Sequence, residues 1–148
     1  MNQAFLKGGL AASLLAGILA FTPAAASAQA AAPATRYKVV FQVSDNDPAK
    51  WNLALNNARN VQVDLGMDNV DVEIVAYGPG LPMLKSDSKV APRLDSAIKQ
   101  GVTLLACENT MRNTKVDKSE IQSGVKFVDA GVVHIMKREM AGWSYVRP

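Results

Sequence analysis

The sequence alternates between short runs of β-forming apolar residues and longer segments whose apolar residues recur at helical spacing. The short runs lie at residues 37–43, 70–77, 102–106, 125–128 and 143–146, and we predict a β-strand at each. The run at 102–106 is apolar on both faces except for Thr103, which is typical of a central strand covered by helices. The chain is therefore predicted to contain about five strands.

Helix start and stop signals separate these strands. Asp47 followed by Pro48 supplies an N-cap and a first-turn proline, and the helix that they open is predicted to end at Gly66. Further helices are predicted at residues 90–100, 117–124 and 132–141. In the last of these, the apolar residues expected to face the core are Val133, Met136 and Met140.

A strand–helix–strand order repeated along one chain predicts right-handed crossovers, and hence a mainly parallel sheet with helices on both faces. The predicted fold class is α/β, a three-layer α/β/α sandwich with a mainly parallel sheet of about five strands. The order of the strands does not follow from the sequence. A chain of 148 residues, 49% hydrophobic and 20% charged, has the length and composition of one globular domain.

The first 28 residues have the pattern of a cleavable signal peptide. Lys7 precedes an apolar run over residues 8–21, and Ala26-Ser27-Ala28 is the small-residue pattern at which such peptides are cut. The run is shorter than the roughly 20 residues of a membrane-spanning helix, so we predict cleavage after Ala28 and no stable membrane insertion afterwards. Residues 29–35 are then a disordered linker and residues 36–148 a single domain, located in the periplasm or secreted.

The charge of the chain does not indicate a nucleic-acid partner. Sixteen basic and 13 acidic side chains give a net charge of +3, and cleavage would remove Lys7 and no acidic residue. The remaining small excess of positive charge is spread along the domain, whereas proteins that bind nucleic acid concentrate it on one face. We therefore predict no nucleic-acid partner.

Candidate chemistry gathers in the loops that follow the predicted strands. The carboxyl ends of parallel strands share one edge of a sheet, where ligands bind. Four loops should meet there, at residues 44–47, 78–81, 107–110 and 129–131. They include Cys107, the only cysteine, and we predict that Asp45, Gly78 and Gly80 line a ligand-binding pocket beside it.

Cys107 lies where an apolar strand ends and a helical turn is predicted to begin. The backbone N–H groups of a helix start carry partial positive charge and lower the pKa of a nearby thiol, which favours a nucleophile or sulfur carrier. A structural role stays open, because free cysteines are among the most buried residues. One cysteine and one histidine do not form a zinc site, and we predict neither a metal nor an organic cofactor.

Several motifs resemble those of the DsrE/DsrF-like proteins. They are the segment Ala-Cys-Glu-Asn-Thr-Met at 106–111, the Tyr-Gly-Pro-Gly loop at 77–80, an Asp- and Asn-rich turn followed by Trp51, and the segments at 130–133 and 142–148. The resemblance covers residues 36–148. It implies a small α/β/α domain that forms homo-oligomers, commonly trimers or hexamers, and whose relatives carry sulfur as a cysteine persulfide. It also implies that Cys107 is the persulfide position and that Asn109 and Thr110 shape its pocket.

The sequence thus predicts an exported DsrE-like protein that binds or relays sulfane sulfur as a persulfide on Cys107, with a sulfur donor or acceptor protein as a partner. Whether it catalyses a sulfurtransferase-like reaction does not follow from the sequence. The alternative is a non-catalytic module, either a small-ligand-binding or an oligomeric scaffold protein, in which the cysteine is structural. A third interpretation is a redox role, with Cys107 oxidised to a sulfenic acid or bridged to another chain.

Overall fold

The computed structural model of the protein describes residues 36–148. The predicted signal peptide and linker lie outside these residues. Strands and α-helices alternate in the order β1 (Tyr37–Val43), α1 (Pro48–Leu65), β2 (Val70–Ala76), α2 (Ala91–Lys99), β3 (Thr103–Cys107), α3 (Glu108–Thr114), β4 (Lys126–Val128), α4 (Gly131–Met140) and β5 (Ser144–Val146). Short 3-10 helices lie at Met67–Asn69, Gly78–Leu84 and Lys118–Glu120. No helix of the described domain combines the length and apolar content needed to cross a membrane.

The strands form one five-stranded sheet in the order β4-β3-β2-β1-β5, and every pair is parallel. The predicted α/β class with a parallel sheet is therefore confirmed. β1 pairs with β2 along its whole length, from Tyr37 opposite Val70 to Val43 opposite Ala76. On its other side β1 pairs with β5, so the first and last strands of the domain are neighbours.

The strand order explains why the two faces of the sheet carry different numbers of helices. Each step from β1 to β4 moves in one direction, so right-handed crossovers put α1, α2 and α3 on the same face. The connection from β4 to β5 runs back across the sheet, which puts α4 alone on the other face. The first face has the larger core, which includes Phe41, Trp51, Ile74, Leu94 and Met111. The second has a small one, formed by Val40, Val75, Leu105 and Ile135.

α1 forms where the local signals predict it. The Asp47 side chain accepts a hydrogen bond of 2.8 Å from the Ala49 N–H, which satisfies one of the free donors at the helix start. The helix ends at Gly66, whose φ of 87° lies in the left-handed region that favours glycine. Trp51, Ala54, Leu55 and Ala58 are buried on its inner face, as the spacing predicts.

The predicted orientation of α4 is wrong. Val133, Met136 and Met140 are exposed, and the buried residues of the helix are Gly131 and Ile135. The reason is a charged residue of the sheet, Glu73 of β2, which projects toward α4 and bonds to polar side chains of the helix. The apolar residues of α4 other than Ile135 therefore face outward.

The predicted helix at 117–124 is also shorter than expected. Only Lys118–Glu120 is helical, although the capping box of Asp117 and Glu120 is present. The next residues leave the helix because Ile121 forms an antiparallel bridge with Lys85, and backbone hydrogen bonds on both sides of it extend this pairing.

Candidate functional site around Cys107

Cys107 is the last residue of β3 and the N-cap of α3, so no loop separates the strand from the helix. Its Sγ accepts a hydrogen bond from the Thr110 N–H, with an N–S distance of 3.4 Å. It accepts a second from the Gly131 N–H, at 3.2 Å. Gly131 opens α4, so the first turns of two helices donate to one sulfur atom.

The strand order accounts for this convergence. β3 and β4 are neighbours, but the chain leaves β3 toward one face of the sheet and leaves β4 toward the other. Such a divergence is the place where parallel sheets bind ligands at their carboxyl edge. Cys107 lies at this point, and the Asn109 N–H donates across it to the Asp129 carbonyl at 3.0 Å. The structure thus brings together the predicted loops at 107–110 and 129–131.

Burial and hydrogen bonding act in opposite directions on the thiol. Burial raises the pKa of Cys107, but the Thr110 hydroxyl and the N–H groups of Gly131, Thr110 and Asn109 lower it by more. The pKa of the thiol therefore lies below its ordinary value, because these donors stabilise the thiolate. Only 4% of the residue is exposed, so the anion would be held inside the protein.

Gly131 fits its position because it has no side chain. A Cβ atom there would lie 3.0 Å from both Cβ and Cδ1 of Tyr77, which is tighter than most Cβ contacts in proteins. Glycine lets Tyr77 and the first turn of α4 pack together while the Gly131 N–H reaches the sulfur.

Thr110 connects the thiol with the loop after β2. It is buried, and its hydroxyl accepts a hydrogen bond of 2.9 Å from the Gly78 N–H. The hydroxyl hydrogen remains available to the sulfur, which agrees with its effect on the pKa of Cys107. Thr110 therefore acts on the thiol through both its backbone and its side chain.

A large cavity lies at the same edge of the sheet. Its volume is about 890 Å³, within the range of small-molecule sites. It is lined by residues that follow β1, β2 and β3, including Trp51, Gly78, Leu81, Lys85, Thr110 and Val116. Cys107 is not among them, and Thr110 lies between the thiol and the cavity. The open space and the sulfur are thus adjacent but separate.

Three residues predicted for the pocket do not line this cavity: Asp45, Gly80 and Asn109. Gly80 is buried against the backbone of Val43, where a Cβ atom would collide with the carbonyl oxygen. Asp45 forms ion pairs with Lys50 at 3.2 Å and Arg147 at 3.4 Å, and the Lys50 ammonium beside it lowers its pKa. Asn109 is exposed. Asp45 and Gly80 therefore support the local structure of this edge of the sheet.

Comparison with solved structures identifies proteins that share this fold. The structure of MTH1491 from Methanobacterium thermoautotrophicum, a protein of unknown function, matches with a TM-score of 0.73. The two sequences are 38% identical, and the match covers 76% of this chain and 99% of that one. The chain belongs to the same family as MTH1491.

A more distant structure shares the fold alone. BT1422 from Bacteroides thetaiotaomicron, a conserved protein of unknown function, matches with a TM-score of 0.64 and 16% identity, over 79% of this chain and 99% of that one. No protein-family model and no curated protein matches the chain. Membership of the MTH1491 family therefore establishes the architecture, and the activity has to be argued from the site.

This member of the MTH1491 family also has a buried polar cluster that the sequence analysis did not predict. Glu73 of β2 is only 6% exposed and bonds to His134 and Arg138 of α4. Two signals in the sequence point to it. Glu73 lies between Val72 and the apolar residues 74–76 of a strand, and His134 and Arg138 are four residues apart, on one face of a helix.

Proposed function

We propose that the protein carries sulfane sulfur as a persulfide on Cys107. The observation that supports this function is the convergence of two helix starts on the sulfur, with N–H donors from Thr110 and Gly131. A thiol in such surroundings ionises more readily, and the thiolate is the nucleophilic form. The same N–H groups suit the anionic persulfide that would result. The resemblance to the DsrE/DsrF-like proteins supports the same chemistry.

The transfer needs no metal or organic cofactor. The Cys107 thiolate attacks the terminal sulfane sulfur of a donor, the S–S bond of the donor breaks, and the shortened donor leaves as an anion with the bonding electron pair. An acceptor thiolate then attacks the outer sulfur of the Cys107 persulfide, and the Cys107 thiolate is released. One sulfur atom moves in each step, and there is no net oxidation.

The burial of Cys107 bears on the kind of donor. With 4% of the residue exposed, a bulky donor does not reach the sulfur unless neighbouring side chains move. We therefore expect a small inorganic polysulfide to load the protein faster than a persulfide attached to another protein.

Intact mass spectrometry tests this function. After incubation with polysulfide and removal of the excess, wild-type protein should gain the mass of one sulfur atom, which dithiothreitol should remove. The Cys107→Ser variant has no other cysteine and should gain none. A wild-type protein that gains no sulfur under these conditions would contradict the proposal.

The cavity favours a second candidate function, the binding of a small molecule without chemistry at the cysteine. Its lining combines apolar side chains, such as Trp51 and Leu81, with hydrogen-bonding groups, and Cys107 is not part of it. In the Trp143→Phe background, Trp51 is the only tryptophan, so its fluorescence reports on the cavity. The dye anilinonaphthalene sulfonate is the probe. If it changes the Trp51 fluorescence equally in proteins with and without the Cys107→Ala substitution, the result supports this function. An unchanged fluorescence would count against it.

We also propose that the protein is a homo-oligomer. The outward side of α4 presents Val132, Val133, Met136 and Met140 together, which is an unusual concentration of exposed apolar side chains for one short helix. The DsrE/DsrF-like resemblance implies trimers or hexamers. A self-contact through α4 would bury these residues.

We propose, finally, that the protein is exported and works in the periplasm or outside the cell. The pattern of residues 1–28 supports this location. Expression of the full chain in a Gram-negative bacterium should give a periplasmic protein whose first residue is Gln29. Recovery of the uncut chain in the cytoplasm alone would contradict it.

A further inference from the structure

We infer that Glu73, His134 and Arg138 are positioning residues for Cys107, because they fix α4 in the place from which Gly131 donates to the sulfur. This inference rests on the proposed function, since it concerns the reactivity of the same thiol. None of the three residues contributes a hydrogen bond to Cys107 itself.

The cluster joins the middle of β2 to α4 through a buried carboxylate. Glu73 Oε2 lies 2.7 Å from His134 Nε2 and 2.9 Å from Arg138 Nε, and Oε1 lies 2.5 Å from Arg138 Nη2. The arginine therefore binds the carboxylate through two parallel hydrogen bonds, a geometry that fixes direction as well as distance. The Arg138 guanidinium also lies 4.5 Å from the centre of the Trp143 ring, which follows α4.

The spacing along α4 places these contacts on the same side of the helix as the sulfur donor. Gly131, His134 and Arg138 are three and then four residues apart, so they lie on one face. That face is directed at the sheet. A displacement of the helix at His134 or Arg138 is therefore transmitted along one rigid element to Gly131.

Apolar packing alone would fix this helix poorly. The apolar core on this face of the sheet is small, and Ile135 is the only buried side chain that α4 contributes to it. Apolar contact is non-directional and permits sliding, whereas hydrogen bonds to a fixed carboxylate do not. A buried ion pair is often no more stabilising than apolar residues of the same shape, so its directional role explains the cluster better than added stability does.

The hydrogen bond from Gly131 to Cys107 is sensitive to the position of α4. The Gly131 N–H donates to Sγ over 3.2 Å, and hydrogen bonds weaken steeply with loss of distance and angle. If α4 shifts or rotates, the sulfur loses one of its donors while it stays buried. The thiolate then becomes less favourable.

The test measures the pKa of the Cys107 thiol in the full chain, from the midpoint of the pH–rate profile for iodoacetamide. The midpoint is independent of a uniform change in access to the sulfur. Glu73→Gln should raise it enough to lower the thiolate fraction at pH 7 about threefold or more. His134→Gln and Arg138→Lys should raise it as well, because each retains a donor but loses the original geometry.

A matched control separates positioning from general destabilisation. Val72 is buried in the same strand but on the opposite face, so Val72→Ala lowers stability without contacting α4. This variant should keep the wild-type midpoint. If Glu73→Gln does not fold, Arg138→Lys, which keeps the charge of the cluster, decides the question.

The outcomes distinguish this inference from the proposed function. A wild-type midpoint at the ordinary cysteine value contradicts the reactive thiol, and the inference fails with it. A low wild-type midpoint that the folded Glu73→Gln and Arg138→Lys variants retain overturns the inference alone. In that case polysulfide would still load Cys107.

Discussion

At the scale of single residues, the proposed sulfur transfer depends on which of two opposing effects dominates at Cys107. Burial disfavours a charged sulfur, while hydrogen bonds from Thr110 and Gly131 favour it, and the second effect is larger. Cys107 was predicted from local sequence, because an apolar strand followed by a helix start is visible there, and Thr110 was predicted from the resemblance to the DsrE/DsrF-like proteins. The Gly131 contact was not, since it joins residues 24 positions apart.

The lowered pKa of Cys107 predicts how stability depends on pH. Between the pKa in the folded protein and about 8.5, the unfolded chain binds the proton that the folded protein has lost, so stability should rise with pH. The free energy of unfolding of wild type minus that of Cys107→Ala should therefore increase through this window, by about 1.4 kcal/mol for each unit by which the pKa is lowered. Urea denaturation at several pH values measures it, and a difference independent of pH would contradict the prediction.

Thr110→Val should raise the pKa of the thiol and lower stability by about 1–2 kcal/mol. The substitution removes the hydroxyl that acts on the sulfur and leaves the Gly78 N–H without its acceptor. Thr114→Val is the matched control, because its hydroxyl bonds to the Thr110 carbonyl in the same helix and not to the sulfur. Alkylation profiles and urea denaturation compare the two. Equal profiles would show that the Thr110 hydroxyl is unimportant for the thiol.

At the scale of elements, local signals predicted where helices lie better than which side they bury. α1 was predicted at both ends because Asp47 and Gly66 act on their own neighbours. α4 was placed correctly along the chain, but its orientation depends on Glu73, which lies 61 positions before His134. Hydrophobic spacing does not contain that information, since both sides of α4 carry apolar residues.

The start of α4 gives a prediction at this scale. Gly131→Ala should push the first turn of the helix away from Tyr77, because the added methyl group would lie only 3.0 Å from the Tyr77 side chain. The bond to Cys107 should weaken and the thiol pKa rise. Gly142→Ala is the control, because it also replaces a glycine near α4, at the other end of the helix. No neighbouring atom lies within 4 Å of the Cβ added there, and the φ of 79° makes alanine more strained at Gly142 than at Gly131. An unchanged alkylation profile in Gly131→Ala would mean that this donor does not control the thiol.

At the scale of the whole molecule, the strand order could not be predicted from the sequence. The fold class followed from alternation, but the pairing of Phe41 with Val146 joins the two ends of the domain. This order explains why one face has a single helix and why the start of that helix lies beside Cys107. The cavity also depends on it, since its walls come from the loops after three different strands.

The single helix on the second face leads to a prediction about the proposed oligomer. Met136 and Met140 are 57% and 88% exposed, so Met136→Lys with Met140→Lys should not disturb the monomer. The wild-type protein should sediment as an oligomer and this variant as a smaller species. Val63→Lys, at an exposed apolar position of α1, should leave the oligomer intact. A wild-type protein that is monomeric at all concentrations would contradict the proposed self-contact.

The pairing of β1 with β5 also has a consequence for biosynthesis. β1 is the first and β5 the last of the five described strands, and β5 covers one edge of β1. During translation this edge of β1 has no partner until β5 has been synthesised and has left the ribosome. The sheet is therefore incomplete for as long as residues 144–146 have not emerged from the ribosome.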